Sequence, residues 1–102
     1  MIKLIVVDDE RFVRMGIVGE TDWASLGCEI VGEAENGLDA LELVHEKNPD
    51  LMICDIRMPK MNGLEMLKKL REEKNPVQVI FLTAYSEFSY AREALKLYAF
   101  DY

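Results

Sequence analysis

The feature that most constrains this chain is a regular alternation of short apolar runs with segments of helical spacing. Apolar runs occupy residues 2–7, 28–31 with their flanks, 51–54 and 77–82. The first, third and fourth are nearly continuous rather than alternating, the pattern of strands covered on both faces in a parallel sheet. Between them the spacing predicts helices. Asn36 can cap one, with Asp39 at its third position and Leu38, Leu41 and Val44 on one face. Asn62 and Glu65 repeat the arrangement before Leu64, Leu67 and Leu70, and Ser86 can cap a helix carrying Phe88, Ala91, Leu95 and Tyr98. A first helix is expected over about residues 10–18, with Phe12, Val13, Gly16 and Ile17 available for packing.

Turn chemistry separates these pieces at Asn36-Gly37, Asn48-Pro49-Asp50, Met58-Pro59, Asn62-Gly63 and Asn75-Pro76. The order is β-α-β-α-β-α-β-α, with a fifth strand starting near Phe100. Such alternation implies right-handed crossovers and an α/β, doubly wound parallel sheet. The 102 residues suit one domain, and half of them are hydrophobic, enough for a core. No internal repeat or linker is read. The chain stops where the fifth strand would begin, so a truncated domain, or one completed elsewhere, is expected.

The net charge of −7 argues against a nucleic-acid surface and against docking on anionic lipid. Cys28 and Cys54 lie in or beside apolar runs, outside any CxxC pair and without histidine at ligand spacing. They read as buried, reduced thiols of a cytoplasmic protein. No signal peptide is visible, and no apolar stretch approaches membrane-spanning length.

In open parallel sheets ligands bind beyond the carboxyl ends of the strands, where the strand order reverses. The first run ends in Asp8-Asp9, the third in Asp55 and the fourth in Thr83. If the first and third strands are neighbours, three carboxylates converge. Their repulsion raises their pKa values unless a cation joins them, and Mg²⁺ suits all-oxygen ligands. Mg²⁺ uses only one or two carboxylates, which leaves another free as a nucleophile toward a phosphoryl group. Aspartates at strand ends also serve as simple caps; the coincidence at successive strand ends is what favours a functional acid pocket.

At these residues the chain resembles the response-regulator receiver family over essentially its whole length. The motifs are Val-Val-Asp8-Asp9-Glu10, Asp55-Ile-Arg-Met-Pro59-Lys-Met-Asn-Gly63 and Phe-Leu-Thr83-Ala84. The resemblance implies a flavodoxin-like sheet of order 2-1-3-4-5, lacking here its last helix, with Asp55 as phosphoacceptor. It implies Mg²⁺ held by Asp9, Asp55, the backbone carbonyl of Arg57 and, through water, Asp8. It gives the Thr83 hydroxyl a contact to the phosphoryl oxygen, Tyr102 the place of the aromatic switch, and Ala84 the task of leaving room for the phosphoryl group. The family's lysine, a few residues past the switch aromatic, falls beyond Tyr102. The implied partners are a sensor histidine kinase, the protein's own output domain and a second copy in a homodimer. The stretch Ala84-Tyr85-Ser86-Glu87-Phe88-Ser89-Tyr90-Ala91, with Trp23 and Asp101-Tyr102, resembles receivers preceding an AraC-type helix-turn-helix domain. This chain would then make no direct nucleic-acid contact itself.

Two other readings compete. A haloacid-dehalogenase-type phosphatase also uses a strand-end aspartate with Mg²⁺, but wants an acid two residues later, where Arg57 stands. A pure interaction module would be inert in phosphotransfer. Among the remaining residues, His45 is expected at the surface, Met58 and Met61 in loop packing, and Trp23 between the first helix and second strand. Phe88 and Tyr98 fit the core, Tyr90 an exposed place, and residues 68–74 a solvated charged face.

Overall fold

The structure, a computed structural model, describes residues 1–82. Four parallel strands, β1 (Ile2–Val7), β2 (Cys28–Ala34), β3 (Leu51–Asp55) and β4 (Gln78–Leu82), form one sheet in the order β2-β1-β3-β4. Three helices connect them: α1 (Arg11–Glu20), α2 (Gly37–Lys47) and α3 (Gly63–Glu72), with a short 3₁₀ turn at Ala24–Leu26. The expected order is therefore met over its first four strands. The expected fifth strand and the helix after Ser86 lie outside the described residues.

Strand side chains alternate between two cores, as the pleat requires. Ile5, Val7, Met52, Cys54, Val79 and Phe81 point to the face covered by α2 and α3. Leu4, Cys28 and Ile53 point to the other, where Ile17 and Trp23 join them. Trp23 also donates from its indole N–H to the Ile17 carbonyl at 2.9 Å, which places it between α1 and β2 as its position suggested. Both cysteines are buried free thiols.

α3 buries Leu64, Leu67 and Leu70 as expected, together with Met66. The Asn62 side chain accepts from the Glu65 N–H at 2.8 Å and the Glu65 carboxylate accepts from the Asn62 N–H at 3.1 Å, closing a reciprocal cap. At the start of α2 the Asn36 side chain accepts from the Asp39 N–H at 2.8 Å, while the Asp39 carboxylate accepts from the Asn36 side-chain amide at 3.0 Å rather than from its main chain.

Three packing expectations need correction. α2 turns Gly37, Ala40 and Val44 inward and leaves Leu38 exposed, because the buried stripe begins one position earlier than the leucines suggest. α1 has no fully buried residue, and Phe12 is 85% exposed. Its inward side carries Arg14, Ile17 and Val18; at about 100° per residue, Phe12 lies about 200° from Arg14. β4 buries Val79 and Phe81 but leaves Leu82 exposed and Ile80 half-buried, so among the described residues it is fully covered on one face only.

Candidate functional site

The sheet brings the ends of β1 and β3 together: Val7 is paired with Cys54, so the next residues, Asp8 and Asp55, emerge side by side. Carboxylate oxygens of Asp8, Asp9 and Asp55 all lie within 4.8 Å of one another. Asp8 is buried, Asp55 half-buried and Asp9 exposed. Asp8 Oδ1 accepts from the Glu10 N–H at 2.8 Å, and Asp55 Oδ1 accepts from the Ile56 N–H at 2.7 Å.

Burial pushes the Asp55 carboxyl up to about 6, and the negative charge of Asp8 adds to the rise; the N–H groups of Ile56 and Arg57 partly offset it. Asp8 is also raised, chiefly by burial. Cys54, fully buried beneath the cluster, has its thiol pushed far up by burial and the adjacent aspartates, so it stays protonated. The acids are thus arranged at a cost that a bound cation would relieve. The donor set is entirely oxygen, and the 4.8 Å span is close to the roughly 4.2 Å between opposite ligands of an octahedral Mg²⁺. The residues present fit that ion, directly or through water.

The loop after Asp55 is fastened to both neighbouring helices. The Gly63 N–H at the start of α3 donates to the Ile56 carbonyl at 2.8 Å, and the Gly37 N–H at the start of α2 donates to the Met61 carbonyl at 2.9 Å. Both glycines are required by close approach: a Cβ at Gly63 would stand 2.6 Å from the Asp55 carbonyl oxygen, and one at Gly37 would collide with the Met61 carbonyl. Met61 is buried under this loop and Met58 packs beside it, the structural place expected of them.

Of the residues singled out by sequence, Asp8, Asp9 and Asp55 are brought together, and Arg57 turns its main-chain N–H toward the Asp55 carboxyl. Leu82 of β4 is paired with Asp55; Thr83, Ala84 and Tyr102 lie outside the described residues, as do Phe88, Tyr90 and Tyr98. His45 is exposed and meets Glu73 at 2.6 Å, away from the site. The Gly37–Met61 bond and the inward Arg14 escaped sequence reasoning. An Asn-Gly pair before each helix was the only trace of the first, and a search for apolar stripes passes over the second.

The model of the response regulator receiver domain matches residues 4–102. The chain belongs to the response-regulator receiver family. It is 43% identical to the transcriptional regulatory protein YesN of Bacillus subtilis over 96 residues, 94% of this chain and 26% of that protein. It spans 26–41% of the length of the curated relatives it matches first. Among solved structures, the receiver domain of AraT, a response regulator from Geobacillus stearothermophilus, superposes with a TM-score of 0.90 at 42% identity, covering 99% of this chain and 78% of that one. A CheX–CheY complex with BeF3 and Mg²⁺ from Borrelia burgdorferi gives 0.83 at 27% identity, covering 96% and 73%. The general function of receivers is phosphotransfer coupled to control of an output. Among the described residues no helix is long and apolar enough to cross a membrane.

Proposed function

We propose that residues 1–102 are the receiver domain of a response regulator that controls transcription, and that Asp55 is its phosphoacceptor. The observation that carries this reading is the position of Asp55: it ends β3, half-buried, within 4.8 Å of the Asp8 and Asp9 carboxylates. The donor is the phosphohistidine of a sensor histidine kinase. An Asp55 carboxylate oxygen attacks phosphorus, the P–O bond forms as the P–N bond breaks, and the imidazole leaves. Ile56 and Arg57 N–H groups orient the attacking carboxylate. Asp9, Asp55, the Arg57 carbonyl and, through water, Asp8 would hold Mg²⁺, which when bound neutralises charge on the phosphoryl group. The likeness to a CheX–CheY complex solved with BeF3 and Mg²⁺ supports Mg²⁺ as the ion.

The Thr83 hydroxyl then contacts the phosphoryl oxygen, Tyr102 acts as the aromatic switch, and water slowly hydrolyses the acyl phosphate. The chain acts as a signalling phosphoacceptor rather than a turnover enzyme, in the cytoplasm. Its output domain is of the AraC-type DNA-binding class, phosphorylation favours a homodimer, and this domain itself touches neither DNA nor membrane. A phosphatase of the haloacid-dehalogenase type is disfavoured because Arg57 stands where its second acid is needed.

The test is intact-mass analysis after incubation with Mg²⁺ and a small-molecule phosphoryl donor. It uses this chain, its Asp55→Asn variant and a version extended through the family's lysine and last helix. One phosphoryl adduct per chain that disappears in Asp55→Asn is expected. An adduct that persists in that variant refutes Asp55 as the acceptor. No adduct even in the extended chain favours an inert interaction module.

A further inference from the structure

Arg14 has no part in the reaction just described, yet α1 turns this side chain inward while Arg11 and Glu20 are exposed. Its side chain is only 15% exposed. Burying a guanidinium costs several kcal/mol unless partners receive it. The partners here are specific. Nη1 donates to the main-chain carbonyl of Asp8, and Nε lies 3.4 Å from Glu33 Oε1 on β2, an ion-pair distance rather than a hydrogen bond. Glu33 is paired with Val6 in the β1–β2 ladder, so its anchor point belongs to the sheet and not to a loop.

The carbonyl that Arg14 holds belongs to the peptide linking Asp8 to Asp9. Fixing it fixes the plane of that peptide, and with it the point from which the exposed Asp9 side chain leaves the backbone. The rest of the turn is held independently: the Asp8 N–H donates to the Ala34 carbonyl at 3.0 Å and the Asp8 carboxylate accepts from the Glu10 N–H. Among the bonds described, the Asp8–Asp9 peptide carbonyl is secured by Arg14.

We infer that Arg14, anchored by Glu33, is a positioning residue for the cation end of the acidic site, setting the Asp8–Asp9 peptide so that Asp9 can ligate Mg²⁺. This rests on the proposed Mg²⁺ reading of Asp8, Asp9 and Asp55. It also has a sign that simple electrostatics does not share. A fixed positive charge beside a cation site repels the ion, so deleting it should tighten Mg²⁺ binding if charge alone mattered. Loss of positioning weakens binding instead, by about tenfold for a residue that orients a ligand.

The experiment is calorimetric titration of the 102-residue chain with magnesium chloride, in parallel with Arg14→Met and Arg14→Lys. Amide spectra and melting curves are recorded without metal. The expected order of affinity is parent, then Arg14→Lys, then Arg14→Met, with about tenfold between the extremes. Lysine keeps the charge and one donor but not the guanidinium fork, so it rescues in part. An Arg14→Met chain that folds and binds Mg²⁺ as tightly as the parent, or more tightly, overturns the inference. Should Arg14→Met fail to fold, Arg14→Lys decides: an affinity equal to the parent's overturns it and a weaker one supports it. A parent chain that takes up no Mg²⁺ overturns the metal reading itself, and the inference with it.

Discussion

Adding one methyl group at Gly63 should unfold this domain far more readily than adding it at Gly16, although both glycines begin or lie within helices. At Gly63 the new Cβ would stand 2.6 Å from the Asp55 carbonyl oxygen, 2.9 Å from Phe81 Cε1 and 3.2 Å from Ile56 Cα. Two of these are backbone atoms and the third belongs to a fully buried ring, so none can swing aside cheaply. Overpacking of this kind costs about 1–3 kcal/mol. Separation of α3 from the loop would also lengthen the 2.8 Å Gly63–Ile56 hydrogen bond, worth about 1 kcal/mol. Against this stands the helix-propensity gain of alanine over glycine, at most about 1 kcal/mol. The net expectation for Gly63→Ala is a loss of about 2 kcal/mol, or roughly 8–16 °C in melting temperature for a domain of this size. At Gly16 no atom lies within 4 Å of the added Cβ, so Gly16→Ala should gain up to about 1 kcal/mol. Urea titrations followed by circular dichroism, with the slope unchanged between variants, measure both. A Gly63→Ala chain as stable as the parent, or two variants shifted equally, would show that the loop after Asp55 is not clamped as described.

The acidic site should give itself away in the pH dependence of stability. The Asp55 carboxyl is raised to about 6, so the folded state holds its proton more tightly than the unfolded state. Without metal, Asp55 therefore costs stability as pH rises from the unfolded value of 3.8 through 6. Asp55→Asn should accordingly be more stable than the parent at pH 8, by about 1–2 kcal/mol once solvent screening at this half-exposed group is allowed for, and no more stable below pH 4. Denaturant titrations at a series of pH values in chelator measure this, and a gain that grows on acidification contradicts the assigned burial. For the caps, Asn62→Ala removes the acceptor of the Glu65 N–H and should cost about 1 kcal/mol in the same assay. No measurable loss would mean that the reciprocal cap contributes nothing.

Much of this architecture could be read from the sequence because strands and caps announce themselves locally. Three strands are bounded by Asp-Asp, Asp or Asn-Pro, and Asn36 and Asn62 each stand three residues before an acid. The acidic cluster followed from strand neighbourhood alone, since Asp8 and Asp55 each terminate a strand of the adjacent pair. What resisted reading depends on relationships that no local window contains. β2 runs on through Gly32 and Glu33 to Ala34, because polar residues are tolerated where burial is partial, and its register with β1 slips between Leu4 and Ile5, where Val31 is left unpaired. In α1 the apolar Phe12 faces solvent and the charged Arg14 faces inward, an inversion explained by the Asp8 carbonyl and by Glu33 on the distant strand β2, which together receive the guanidinium. The two Asn-Pro corners were recognised as turns but not as a matched pair. The same offset separates Asn48 from Asn75 as separates Leu51 from its partner Gln78, so the corners enter neighbouring strands in register.

The glycine amides that tie α2 and α3 to the loop after Asp55 give the molecule two native probes of its own chemistry. Glycine amides occupy a sparsely populated region of a proton–nitrogen correlation spectrum, and Gly37 and Gly63 belong to different helices. Each donates to a carbonyl of the same short loop, so a rearrangement of that loop must alter both resonances together, whereas fraying of either helix alters one. Hydrogen exchange at the pair likewise separates opening of the loop from local unfolding of a single helix. Events at Asp55 can thus be followed at two unmodified main-chain positions, without a dye, a tag or a substituted residue near the acids.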